Sequence, residues 1–71
     1  MARNKDKILK DLGGKLKKAR ERAKLTQLEV ASGADLHVNY YAQIERGEVN
    51  PSFEKLQGIM KVLKLKSLDV N

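Results

Sequence analysis

Wherever apolar residues recur regularly in this chain they do so at steps of three and four, the repeat of one face of an α-helix. Ile8, Leu12, Leu16, Ala19 and Ala23 form one such stripe, and Phe53, Leu56, Ile59, Met60 and Leu63 form another. No stretch alternates β-branched and polar residues as a half-buried strand does, which restricts the chain to helices. Punctuation divides the stretch between the stripes. Thr26 is a predicted N-cap, and Glu29 three residues on completes a capping box, so a second helix opens with Gln27, Leu28, Glu29, Val30 and Ala31. Ser32 to His37 is short, small and polar, and reads as a tight turn. A third helix follows over Val38 to Arg46, with Tyr41 and Ile44 on one face and Gly47 in the place of a helix-ending glycine. Pro51 and Ser52 open the fourth, and Ser67 caps a short fifth turn through Leu68, Asp69 and Val70.

Gly13 and Gly14 interrupt the first stripe, at about 1 kcal/mol for each glycine inside a helix. The segment before Leu12 therefore reads as a frayed turn, a mobile arm or a helix extension, with Asn4 or Asp6 available as a cap. The expected architecture is all-α, a compact bundle of four to five helices, with residues 1–11 as the arm or extension and 12–71 as the domain.

A chain of 71 residues buries only about 60% of the surface it exposes when unfolded, so there is room for one small core and none for a large catalytic architecture. Without cysteine there is neither a disulfide framework nor a thiolate metal site, and a single histidine, His37, rules out a histidine metal cluster within one chain. No nucleophile–base pair, phosphate-cradling glycine loop or metal-ligand spacing can be assembled, so no enzyme, cofactor or small-molecule ligand is expected. No apolar run approaches the length of a bilayer span, and the charged opening Met1 to Lys7 lacks the apolar stretch of a secretory signal; a cytoplasmic protein is expected.

The net charge of +6 is unevenly distributed. Residues 1–24 hold ten cations and three anions, whereas residues 25–71 hold five cations and six anions. A basic first third points to a polyanionic partner, either nucleic acid phosphate or an anionic membrane surface, or else to a solvated helix face. The membrane reading is weak, because the apolar stripe of helix one is narrow, includes two alanines and is needed for the core.

Helices two and three bear on the choice. Ala31 is small enough to let helix three approach closely, and Val30, Ala34, Leu36, Tyr41 and Ile44 supply apolar groups to close the corner from inside. Val38, Asn39, Ala42 and Gln43 are then left on the outer side of a short helix, free to enter a groove. At these residues the chain resembles a known family. Leu25-Thr26-Gln27-Leu28-Glu29-Val30-Ala31, then Tyr40-Tyr41-Ala42-Gln43-Ile44-Glu45-Arg46-Gly47, then Asn50-Pro51-Ser52 are similar to the Cro and phage-repressor type helix-turn-helix proteins, also called the xenobiotic-response-element family. The resemblance covers roughly residues 12–70 and implies a lambda-repressor-like bundle in which helices two and three form the helix-turn-helix.

The resemblance also implies double-stranded DNA as the partner, with helix three as the recognition helix in the major groove. Val38, Asn39 and Gln43 match base-reading positions. Asn and Gln pair with the N6 and N7 edge of adenine and valine offers only apolar contact, for instance to a thymine methyl, so a half-site containing A·T pairs is expected. Phosphate contacts are implied for Thr26, Gln27, His37, Tyr40, Arg46 and Asn50, with capping of helix three as the competing role of His37. Arg20 and Glu45 match a pair that bridges helices one and three. The family commonly has glycine where this chain has Lys24, Asp35 and Lys64, and usually a β-branched aliphatic residue at Tyr41.

The function implied is a small transcriptional regulator, a repressor in preference to an activator. The competing reading is an antitoxin or adaptor that uses the same scaffold to hold another protein. One recognition helix reads few base pairs, so a homodimer on a two-fold site with half-sites about 34 Å apart is expected. Leu65, Leu68 and Val70 are candidates for its contact, or else a lid over the core.

Overall fold

The computed structural model describes residues 2–65, with side chains from Asp6 onward. Four helices follow one another: α1 (Ala2–Arg22), α2 (Gln27–Gly33), α3 (Val38–Glu45) and α4 (Phe53–Val62). No strand occurs among the described residues. The fifth turn predicted from Ser67 lies outside them, as do Leu68 and Val70.

Each helix starts where its sequence supplies an acceptor. The Thr26 hydroxyl accepts from Glu29 N–H at 3.0 Å while the Glu29 carboxylate accepts from Thr26 N–H at 2.8 Å, which closes the predicted capping box. His37 Nδ1 accepts from Asn39 N–H at 3.2 Å, and the Ser52 hydroxyl accepts from Lys55 N–H at 3.2 Å.

One device ends all four helices. Leu25 N–H donates to Arg20 O, Leu36 to Ala31 O, Glu48 to Gln43 O and Leu65 to Met60 O, at 2.8–3.1 Å, and in each case the preceding N–H reaches back to the residue three before it. This is the Schellman arrangement, which requires a left-handed residue just past the helix. Gly47 fills that place once, at φ 75°; Lys24, Asp35 and Lys64 fill it elsewhere, at φ 59–60°. These three are the positions where the family commonly has glycine, and the backbone keeps the conformation that glycine would favour. A Cβ in that region costs about 1 kcal/mol or more, partly offset by the freedom glycine adds to the unfolded chain. Lys24→Gly is therefore expected to raise stability by about 0.5–1 kcal/mol, read as a higher urea midpoint at constant slope.

The expected interruption at Gly13 and Gly14 does not occur, for α1 runs through both. Nor do Asn4 and Asp6 cap it, because the helix begins upstream of both, at Ala2. Gly13 is buried, and a side chain there would run into the carbonyl oxygens of Ile44 and Glu45. α1 thus meets the last turn of α3 backbone to backbone, and α3 also packs on α2, which packs on α4.

The core gathers Leu16 from α1, Val30 and Ala31 from α2, Tyr41 and Ile44 from α3, Ile59 from α4, and Leu63 just past it. Leu25, Leu36 and Leu65, each the residue after a left-handed turn, are half-buried and pack on this cluster. Leu65 thus makes the core contact that a lid requires. The ends of both apolar stripes are exposed, contrary to the pattern: Ile8 at 65% and Phe53 at 74%. Lys10 already touches Gly47, which closes α3, so Ile8 lies past the end of its partner helix. The buried part of the α4 stripe starts at Leu56.

Candidate nucleic-acid interface

The orientation of α3 is fixed from its buried side. Tyr41, Ile44 and Glu45 are all buried. Glu45 holds α3 to both neighbours: Arg20 of α1 donates Nε–H to Glu45 Oε2 at 2.7 Å and Nη2–H to Oε1 at 3.2 Å, and Gln27 at the start of α2 donates Nε2–H to Oε1 at 2.9 Å. The Arg20 guanidinium also reaches Leu25 O at 3.0 Å, so one side chain ties the end of α1 to the end of α3.

Burial by itself would raise the Glu45 carboxyl, but the hydrogen bonds from Arg20 and Gln27, with the Tyr41 hydroxyl close by, outweigh it and hold the group below the ordinary carboxylate value. The Tyr41 hydroxyl contributes by proximity and completes no hydrogen bond of regular geometry. Burial, and then the Glu45 carboxylate beside it, push the Tyr41 phenol well above its usual range.

With that side pinned, Asn39 is exposed on α3 and Gln43 half-exposed. Val38 departs from the expectation that it has no core role: it is half-buried and packs on the core cluster. The cause is its place directly after the turn, where the first residue of α3 covers the corner between helices.

The residues implied as phosphate contacts form a less uniform set. Thr26 is exposed, with its hydroxyl used in the capping box. Gln27 is half-buried and lends one amide hydrogen to Glu45. His37 does cap α3, with Nδ1 accepting from Asn39 N–H. Arg46 is exposed but forms a two-bond pair with Glu48, at 2.8 and 3.1 Å, while Asn50 is exposed. Tyr40 is half-buried, and Lys55 of α4 lies over its ring with Nζ 4.9 Å from the centroid. No sequence pattern singles out Lys55, because residues 40 and 55 belong to different helices and only the packing of the bundle brings them together. The Gln27 to Glu45 bond was invisible for the same reason.

Among the described residues no group of His, Asp and Glu is arranged to hold a metal ion, and no helix is long and apolar enough to cross a membrane.

A family model described as helix-turn-helix matches residues 16–71 of the chain. The chain is 38% identical over 52 residues, 73% of its length, to the immunity repressor protein of Bacillus phage phi105. It spans 36% of that repressor's length. The crystal structure of the restriction-modification controller protein C.AhdI from Aeromonas hydrophila superposes with a TM-score of 0.81 at 25% identity, covering 83% of this chain and 89% of that one.

Proposed function

The chain belongs to the helix-turn-helix family of DNA-binding regulators, and from that premise we propose that it is a transcriptional repressor that binds a two-fold DNA site as a homodimer. In this reading α3 enters the major groove, Asn39 and Gln43 read base edges, and Val38 adds an apolar contact beside them. Thr26, Gln27, His37, Tyr40, Arg46 and Asn50 meet the flanking phosphates. The observation that carries the reading is the presentation of α3: its inner face is locked by Arg20 and Gln27 on Glu45 while Asn39 stands exposed. A short helix fixed from behind and bare in front is what groove readout demands. The names of the phage immunity repressor and the restriction-modification controller support a regulatory role, and the former supports repression.

Selection of bound sequences from random duplex DNA tests the proposal. The expected result is a two-fold site with half-sites about one helical turn apart, containing A·T pairs. Asn39→Ala and Gln43→Ala are each expected to relax preference at particular base pairs by about 1–3 kcal/mol, with stability little changed. Enrichment of no sequence, together with indifference to both substitutions, would favour the antitoxin or adaptor reading.

A further inference from the structure

Arg46 and Lys55 are both exposed cations near α3, yet their charges are held differently. The Arg46 guanidinium is bonded twice to the Glu48 carboxylate, so it offers phosphate a largely neutralised pair. Lys55 rests on the ring of Tyr40, 4.9 Å from its centroid. An aromatic face localises an ammonium without cancelling its charge. The ring itself sits on α3, between Asn39 and the buried Tyr41, so the Lys55 charge is carried to the edge of the recognition helix by a residue from another helix.

We propose that Lys55, stacked on Tyr40, is a phosphate-binding residue of the DNA interface. The assignment rests on the DNA-binding reading above and adds to it a residue outside the helix-turn-helix. Tyr40 acts in it as a positioning residue: the half-buried ring sets where the ammonium stands. Because a phosphate contact is independent of sequence, its signature is electrostatic. Each contact contributes about −0.9 to the slope of log K against log salt concentration.

The test uses the full chain and a mixed-sequence duplex of about 20 base pairs, titrated from low to high salt. Lys55→Met keeps the apolar stem and removes the charge. It is expected to flatten the slope by about 0.9, which is about eightfold weaker binding at 0.1 M salt with the difference closing toward 1 M. Lys55→Arg, which keeps both charge and stacking, is expected to restore the slope. Lys61→Met removes the same charge about 9 Å further along α4 and serves as the comparison. Acetylation of the Lys55 amine, read by mass spectrometry, is expected to slow when duplex is added. An unchanged slope in Lys55→Met, or a loss no larger than in Lys61→Met, overturns the assignment of Lys55 while leaving DNA binding intact. Absence of salt-dependent binding by the unsubstituted chain overturns the DNA-binding reading and this inference with it.

Discussion

Gly13→Ala is expected to destabilise the fold by about 2 kcal/mol, whereas Gly14→Ala, one residue on, is expected to stabilise it by about 0.8–1 kcal/mol. Both substitutions replace a glycine inside α1 and gain the same helix propensity. Only their surroundings differ. A Cβ at Gly14 has nothing within 4 Å, whereas one at Gly13 would lie 2.7 Å from the Glu45 carbonyl carbon and closer still to two carbonyl oxygens. Those atoms are backbone at the end of α3 and cannot rotate away, so α1 and α3 must separate. Separation strains the Arg20 to Glu45 pair that spans them. Overpacking of this kind costs about 3 kcal/mol at the upper end, from which the propensity gain subtracts about 1. For a domain of this size the pair of substitutions should shift the melting temperature in opposite directions, by roughly 8–16 °C downward and roughly 4–8 °C upward. Equal shifts for both would mean that the approach of α1 to α3 is looser than described.

The same two residues show where reading the sequence succeeds and where it stops. Periodicity located α1 and α4, because a chain this small can bury its apolar residues only by aligning them on helix faces, while caps and turn residues marked out α2 and α3 between them. Caps were legible at Thr26, Gly47 and Ser52 because they act through the local backbone. What Gly13 does is hidden from any local pattern because its reason lies across the bundle, in carbonyls more than thirty residues away. Its helix propensity argued for a break, and tertiary packing overrode it. In the candidate interface, the outer position of Asn39 followed from the placing of Tyr41 and Ile44, since residues on opposite faces of one helix constrain each other. The burial of Val38, the Gln27 to Glu45 bond and the seat of Lys55 on Tyr40 did not follow, because each joins residues from different elements. Resemblance to a family supplied the Arg20 and Glu45 pairing, which no spacing rule within one chain would have selected.

Glu45→Ala is expected to cost about 3–5 kcal/mol, enough to unfold much of the population of a marginal domain. The reason is less the bond lost than the charge left behind. The Arg20 side chain is 13% exposed and the Glu45 side chain 2%, so removing the carboxylate strands a guanidinium that water reaches poorly. Gln27 loses its acceptor at the same time, and the buried Tyr41 hydroxyl is left beside a cavity. Glu45→Gln keeps the shape and one acceptor and should cost less. The pair also makes stability depend on pH in a definite direction. The folded state holds the Glu45 carboxyl below its ordinary value of 4.5, so the unfolded chain binds more protons there and stability rises with pH across that window. The contribution of Glu45 is complete above pH 4.5 and is lost as pH falls through the lower folded value, where the carboxylate takes up a proton and the bridge to Arg20 loses its charge. Melting curves from pH 7 to pH 3 should therefore fall more steeply in the acid range for the unsubstituted chain than for Glu45→Gln. Parallel curves would mean that the Glu45 carboxylate is not favoured in the folded state over the unfolded one.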